Sequence, residues 1–375
     1  MRSLKGIGDL FGKKVLLRID LNVPIKDGKA LENFRIKKVL PTINFLKESG
    51  AKIILLSHLE DKNKNVLGLG PVYEYLRKYF PEIIFASDFS ELKIAIQNAG
   101  AGDLILLENL RNWPGEKSCD ENFINELASF GDIYINDAFS VSHREHASIV
   151  GLPKKLPSFT GFLFEEELKN LSKVFSPEHP FLFILGGAKT ETKLPLFAKF
   201  IKTADYIFIG GVLANDFLKA RGFEVGKSLV SKGIEEEIIR LSQNSKVILS
   251  QNVIVGNKDI SIKKSIGNVS EEDAIKDVVV SDLEVLERVI QKSKFILWNG
   301  PMGNLEESFL EGTQKLAKLI SQSPAKSIMG GGDTISALDD SVLEKFSFVS
   351  TAGGAMLDFL ANETLPGIEA LELGN

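Results

Sequence analysis

The chain has 375 residues, with 45 Lys and Arg against 50 Asp and Glu, a formal net charge of −5, 44% hydrophobic and 25% charged residues, and one cysteine. That length predicts about two domains, each able to bury its own core; the composition excludes a disordered chain, and no apolar stretch is long enough to cross a bilayer. The acidic balance gives no footing for nucleic acid, and Cys119 alone can form neither an internal disulfide nor a four-cysteine zinc site. The first residues, Met1-Arg-Ser-Leu-Lys-Gly-Ile-Gly8, hold no signal-peptide core, which predicts a cytoplasmic address.

In chain order, Val15-Leu-Leu-Arg18-Ile-Asp20-Leu-Asn22-Val-Pro24 alternates from Leu17 onward, predicting a strand with Arg18, Asp20 and Asn22 on one face and apolar residues on the other. Asn33 is a candidate cap for a helix running to Gly50, with Arg35 in its first turn and Pro41 as a kink. Further strands are predicted at Lys52 to His58, Glu82 to Ala86, Asp103 to Arg111 and Asp132 to Asp137, separated by helical patterns as in serial βαβ units. Their ends carry Arg111, His143, Arg144 and His146, which a parallel sheet would gather with Arg18, Arg35 and His58 on one rim. Such a rim suits a small, highly charged anion, because guanidinium matches carboxylate and phosphate bidentately.

Glu165 to Phe175 reads as one amphipathic connecting helix, with Glu165-Glu-Glu167 as its solvated start and Leu168, Leu171 and Phe175 at near-helical spacing. Beyond it, apolar runs repeatedly stop at glycine or a small polar residue: Gly186-Gly187-Ala-Lys189, Gly210-Gly211, Asn299-Gly300-Pro301, Gly330-Gly331-Gly332-Asp333-Thr334 and Ser350-Thr351-Ala-Gly353-Gly354. Glycines at strand ends let backbone N–H groups approach phosphate closely, beside the N-terminus of the next helix. A single pair is equally a tight turn; five in one half of the chain point to a nucleotide-phosphate site. Two open α/β domains joined by a hinge helix, with an anion rim and a nucleotide rim, suit an enzyme that brings two phosphorylated partners together and expels water.

These residues resemble the phosphoglycerate kinase family across essentially the whole chain. The strings that carry the resemblance are Arg18-Ile-Asp20-Leu-Asn22-Val-Pro24, Glu108-Asn-Leu-Arg111, Asn136-Asp-Ala-Phe139 with His143-Arg144-Glu-His146, Gly186-Gly-Ala-Lys189, Trp298-Asn-Gly-Pro-Met302, Gly330-Gly-Gly-Asp-Thr334 and Leu365-Pro-Gly367. The resemblance implies an α/β fold of two doubly wound parallel-sheet, Rossmann-like domains. The first would comprise residues 1–163 plus about 366–375 and bind phosphoglycerate; residues 164–176 would form the connecting helix, and 177–365 the nucleotide-binding domain. It implies reversible phosphoryl transfer between 1,3-bisphosphoglycerate and ADP, giving 3-phosphoglycerate and ATP, with Mg²⁺ as cofactor, in a monomer with neither a nucleic-acid nor a membrane partner.

By the same resemblance, Asp20, Asn22, Arg35, His58, Leu59, Arg111 and Arg144 would bind the glycerate substrate. Arg35, Lys189, Gly332 and Gly353 would surround the transferring phosphoryl group. Gly187, Lys189, Lys193, Gly211, Asn299, Pro301, Glu306, Gly331, Gly332, Asp333 and Thr334 would bind the nucleotide, with Asp333 holding the metal. The attacking carboxylate is already ionised at neutral pH, so the absence of an evident acid/base dyad fits the reaction.

The chain also departs from the family. After Ser57-His58-Leu59 the pattern expects Gly, Arg and Pro, and the sequence has Glu60, Asp61 and Lys62, so a rim arginine is replaced by carboxylate, with Lys62 or Lys64 as candidate compensation. The stretch expected to wall the adenine pocket reads Asp277-Val-Val-Val-Ser-Asp282, which leaves the choice between adenine and guanine open. The alternative function is a nucleotide-binding relative without turnover. Gly222 to Ser228 falls one residue short of a Walker A loop. Asp137 reads as a loop-orienting residue, Trp298 as packing beside the site, and His143-x-x-His146 as too few ligands for a metal.

Overall fold

A computed structural model describes residues 1–31, 34–61, 63–188, 190–257 and 259–374. The chain divides into two compact units, one running from Met1 to Lys169 and taking in the segment from Asn362 onward, the other spanning Asn170–Ala361. Among the described residues no helix is long and apolar enough to cross a membrane.

The first unit is built on strands β1 (Lys14–Arg18), β4 (Lys52–Leu56), β5 (Ile84–Ala86), β6 (Leu104–Leu107), β7 (Ile133–Asn136) and β8 (Ser158–Thr160), with a small hairpin, β2 (Ile25–Lys26) and β3 (Lys29–Ala30), beside them. The six pair in parallel in the order β5-β6-β4-β1-β7-β8. Their residues are nearly all apolar and buried, as a parallel sheet covered on both faces demands. The chain winds outward from β1 in both directions, so the switch point lies between β1 and β7. β1 ends at Arg18, shorter than its alternating pattern suggests, because the Leu21 N–H donates to the Ser57 hydroxyl and the Val23 N–H to the Leu21 carbonyl rather than to a strand ladder. Asp20 and Asn22 therefore stand on a loop.

The second unit repeats the plan with β9 (Phe181–Leu185), β10 (Tyr206–Ile209), β11 (Val247–Ile248), β15 (Phe295–Asn299), β16 (Lys326–Gly330) and β17 (Phe348–Ser350), parallel in the order β11-β10-β9-β15-β16-β17. Its switch point lies between β9 and β15, where ligands of doubly wound sheets bind. A separate antiparallel sheet, in the order β13-β12-β14, joins β12 (Asn252–Asn257), β13 (Ile260–Ser265) and β14 (Ile275–Val278). The serial βαβ pattern does not anticipate it, although Val253 and Val255 alternate on its buried face.

The Phe34–Glu48 helix carries Pro41 inside it; its expected cap, Asn33, lies outside the described residues. The connecting helix spans Phe162–Ser172 and continues as a 3-10 turn, Lys173–Phe175, so it starts three residues before the expected Glu165. Of its three glutamates only Glu166 is exposed as a solvated start would have it: Glu165 accepts from the Thr160 hydroxyl at 2.8 Å, and Glu167 is fully buried. The last helix, Pro366–Leu373, belongs to the first unit, where the Gly367 N–H donates to the Ser142 carbonyl at 2.8 Å.

Candidate active site

In the first unit the cationic residues collect outside the carboxyl ends of β1, β4, β6 and β7. Arg18, the last residue of β1, is buried, donating through Nε to the Ser148 hydroxyl at 3.0 Å and lying 3.4 Å from His58 Nδ1. It is thus a pillar beneath the rim rather than part of its open edge. Ser148 in turn donates to Glu116, a carboxylate buried below the arginines and 3.8 Å from His146 Nδ1. Glu116 is not among the residues expected from the sequence; only its burial and its bonds to Ser148 reveal it.

Asp20 accepts from Arg35 Nη1 at 2.9 Å, from the Ser140 hydroxyl and from the Asn22 N–H. Burial would push its carboxyl up, but Arg35, His58 and these hydrogen bonds outweigh it and hold it at about 2, so it stays ionised. Arg35 also donates to the Asn22 carbonyl at 3.2 Å. The Asn22 side chain accepts from the Glu60 N–H at 2.9 Å. Leu59 buries its side chain in the apolar core, and its carbonyl takes the Asn109 amide at 2.7 Å, so it shapes the loop that carries His58.

Arg111 and Arg144 complete the cluster. Burial, then the neighbouring Arg144 and Arg18 charges, lowers the Arg111 guanidinium to about 10. Arg111 Nη2 has no hydrogen-bond partner among the described residues, and its Nη1 meets the Glu60 carboxylate. Burial and the surrounding arginines hold His146 at about 3 and His58 well below the usual imidazole range, so both rings are neutral at pH 7. Arg144 Nε lies 3.4 Å from His143 Nε2. The structure thus brings Asp20, Asn22, Arg35, His58, Arg111 and Arg144 together. Asp61 turns away: its carboxylate accepts from the N–H groups of Asn63 and Asn65 at 2.8 Å. The carboxylate inside the rim is that of Glu60, not Asp61; Lys62 lies outside the described residues.

In the second unit the loops after β9, β10 and β15 knit together at the switch point. The Gly186 N–H donates to Asn299 O, Gly187 to Pro301 O, Gly211 to Met302 O and Val212 to Gly187 O, at 2.7–3.1 Å. A Cβ on Gly186 would lie 2.3 Å from Pro301 O, and one on Gly300 2.2 Å from Gly186 O. These glycines are required by loop-to-loop packing. By contrast, a Cβ at Gly332, Gly353 or Gly354 meets nothing within 4 Å, so those glycines border open space. The glycines that looked alike in sequence serve two purposes.

Lys193, in the Thr190–Phe200 helix, is buried and folds its Nζ onto the Gly186 carbonyl. Lys189 lies outside the described residues, and the next residue, Thr190, donates to the Asp216 carboxylate at 2.7 Å. Asn299 and the Trp298 ring are buried, Trp298 donating to Gly300 O at 2.8 Å, while Glu306 is exposed on the Leu305–Glu307 turn. The helices Gly211–Ala220, Gly332–Ser336 and Gly354–Asn362 all begin at these strand ends. Asp333 is exposed, beside the buried Thr334 hydroxyl, which has no hydrogen-bond partner among the described residues. Asp277 is buried, accepts from the Gly312 N–H at 2.9 Å, and is pushed up to about 7 by burial. It ties β14 to the Glu311–Ser321 helix and is a structural hinge-pin the sequence did not reveal.

Comparison with known proteins places this geometry. The family model described as phosphoglycerate kinase matches residues 4–363. The phosphoglycerate kinase of Orientia tsutsugamushi (strain Boryong) is 42% identical over 400 aligned positions, covering 99% of this chain and 98% of its own. That of Wolbachia sp. subsp. Drosophila simulans (strain wRi) is 40% identical, covering 97% of each. The crystal structure of phosphoglycerate kinase from Pyrococcus horikoshii OT3 superposes with a TM-score of 0.90 at 30% identity, covering 100% of this chain and 99% of that one.

Proposed function

The chain belongs to the phosphoglycerate kinase family, and we infer how its own residues carry the reaction, the reversible transfer of the acyl phosphate of 1,3-bisphosphoglycerate to MgADP, giving 3-phosphoglycerate and MgATP. The observation that carries the reading is the cluster of Arg18, Arg35, Arg111 and Arg144 around Asp20 at the carboxyl ends of one sheet. Only a small, multiply charged anion suits so much convergent guanidinium.

The distal phosphate of the glycerate binds Arg111 and Arg144, with neutral His58 offering a hydrogen bond. Asp20 and Asn22 take the hydroxyl and carboxylate end, and Asp20 holds Arg35 ready for the phosphoryl group in flight. In the second unit the open glycines Gly332 and Gly353, with Gly331 and Thr334, let backbone N–H groups reach the nucleotide phosphates. Lys189 and Lys193 add positive charge there, Gly187, Gly211, Asn299 and Pro301 shape the cleft, and Glu306 takes the ribose hydroxyls.

The donor set around Asp333 fits Mg²⁺ that arrives on the nucleotide, since such ions ask only one or two carboxylates of the protein beside phosphate oxygens. When bound, the ion neutralises charge shared between the phosphates. No protein base is needed, because the carboxylate of 3-phosphoglycerate is ionised at pH 7; the protein supplies alignment and electrostatic stabilisation.

The test is a coupled assay with MgATP and 3-phosphoglycerate, each varied, with GTP as a parallel donor. Saturable turnover in both substrates is expected. Lys189→Ala should lower kcat by roughly 10²–10³ with ADP binding kept; equal loss of both would leave Lys189 a binding residue only. Nucleotide binding without any turnover would instead mark a non-catalytic relative.

A further inference from the structure

Two adjacent carboxylates follow Leu59, and the fold uses them oppositely. Asp61 caps its own turn in solvent, accepting from Asn63 and Asn65. Glu60 is turned inward. Its N–H is fixed by Asn22 Oδ1 at 2.9 Å, and the preceding carbonyl, of Leu59, is held by the Asn109 amide and the Leu67 N–H. The backbone is pinned on both sides, and the side chain is only 9% exposed. One carboxylate oxygen pairs with the Arg111 guanidinium, whose side chain is 1% exposed; the other lies 3.0 Å from Lys117 Nζ.

We propose that Glu60 sets the affinity of the anion site: its carboxylate is a resident counter-ion on Arg111 Nη1 that opposes the substrate's phosphate group and denies it a bidentate grip on the guanidinium. The inference rests on Arg111 binding that phosphate. Glu60 occupies Nη1 and leaves Nη2 without a partner among the described residues, so a phosphate meets a single terminal nitrogen beside a fixed negative charge, or both nitrogens only after displacing the carboxylate. The resident anion therefore competes intramolecularly, at an effective concentration set by its short tether. It also compensates the Arg111 charge when substrate is away, which would otherwise stand buried beside Arg18 and Arg144 at a cost. The outcome is a substrate site that is stable when empty and weaker in binding than its arginines alone would make it.

Glu60→Gln in the full chain tests this. The amide keeps the shape and the backbone bond to Asn22 but removes the charge. The KM for 3-phosphoglycerate should fall about tenfold, the effect of one charge-assisted hydrogen bond at the low end of its range. Both kcat and the KM for MgATP should stay within about twofold. Asp61→Asn, on the outward turn, should leave all three values as they are. An unchanged or higher KM for 3-phosphoglycerate in Glu60→Gln overturns the proposal. Should that variant fail to fold, Glu60→Asp, whose shorter arm withdraws the charge from Arg111, is held to the same two outcomes.

Calorimetric titration with 3-phosphoglycerate alone, without nucleotide, separates this inference from the catalytic reading. Tighter binding to the variant supports it and equal or weaker binding overturns it, whether or not the wild-type chain turns over. Wild-type turnover with no difference between the proteins sinks the role of Glu60 and leaves the kinase intact.

Discussion

A Cβ on Gly211 would stand 2.4 Å from the backbone nitrogen of Gly187, with Gly211 itself at φ +62°. The two loops after β9 and β10 touch main chain to main chain, which only glycine allows. Gly332, the second residue after β16 and the first of the helix that follows, has open space where its Cβ would be. The pair separates a packing glycine from one that borders open space.

Gly211→Ala should therefore lose roughly 2–4 kcal/mol of stability in denaturant unfolding, from the collision and the left-handed backbone together. Gly332→Ala should unfold within about 1 kcal/mol of the parent, since alanine is at least as good a helix former. Its KM for MgATP should nevertheless rise. A Gly332→Ala protein with unaltered nucleotide kinetics would remove that loop from the phosphate site.

Arg35 donates through Nη1 to both the Asp20 carboxylate and the Asn22 carbonyl. Lysine keeps the charge but not the planar, five-donor guanidinium. Arg35→Lys should lower kcat by about 10²-fold, or roughly 3 kcal/mol of transition-state stabilisation, with a much smaller change in the KM for 3-phosphoglycerate. The steady-state parameters decide it: a pure KM effect would make Arg35 a ground-state binder.

Asp277 gives a stability signature above mild acid. Its folded carboxyl titrates at about 7 and its unfolded one near 3.8, so the folded state keeps the proton longer. The associated stability is fully present below 3.8 and is lost as pH rises through 7. Asp277→Asn also gives up one backbone hydrogen bond, so it should be less stable than the parent at pH 5, and the gap should narrow towards pH 8. Parallel unfolding curves of both proteins across that range would show the carboxyl ionised throughout.

His146 acts in the opposite sense. Held at about 3 when folded against 6.5 when unfolded, it resists protonation in the native state, so stability falls as pH drops from 6.5 towards 3. In His146→Gln that slope is absent. Between pH 7 and pH 5.5 the stability difference should move about 1 kcal/mol in favour of the variant. Thermal melts at the two pH values suffice, and an identical shift in both proteins would mean the ring is solvated.

The strands were legible in the sequence because parallel strands buried on both faces must be continuous apolar runs, and those of β4, β9, β10 and β15 begin and end almost where the patterns do. The cationic residues of the first unit could be named because the ends of parallel strands gather on one edge whatever the loops between them do. The antiparallel sheet around β12 was not legible, since its short strands break the βαβ rhythm that identified the others.

Sequence alone therefore determined the fold class, the apolar runs that form the strands and which residue types gather beyond them, although β1 and β6 stop at Arg18 and Leu107, short of their patterns. Only the tertiary structure decided that Glu60 turns in and Asp61 out, that Glu116 and Glu167 are buried, and that Gly211 packs while Gly332 stays open. The reason is range. Strand patterning is written in neighbours a few residues apart, whereas the direction of the Glu60 side chain is set by Asn22 and Asn109, 38 and about 50 positions away along the chain. Contacts at that separation exist only once the sheet has brought its strand ends together.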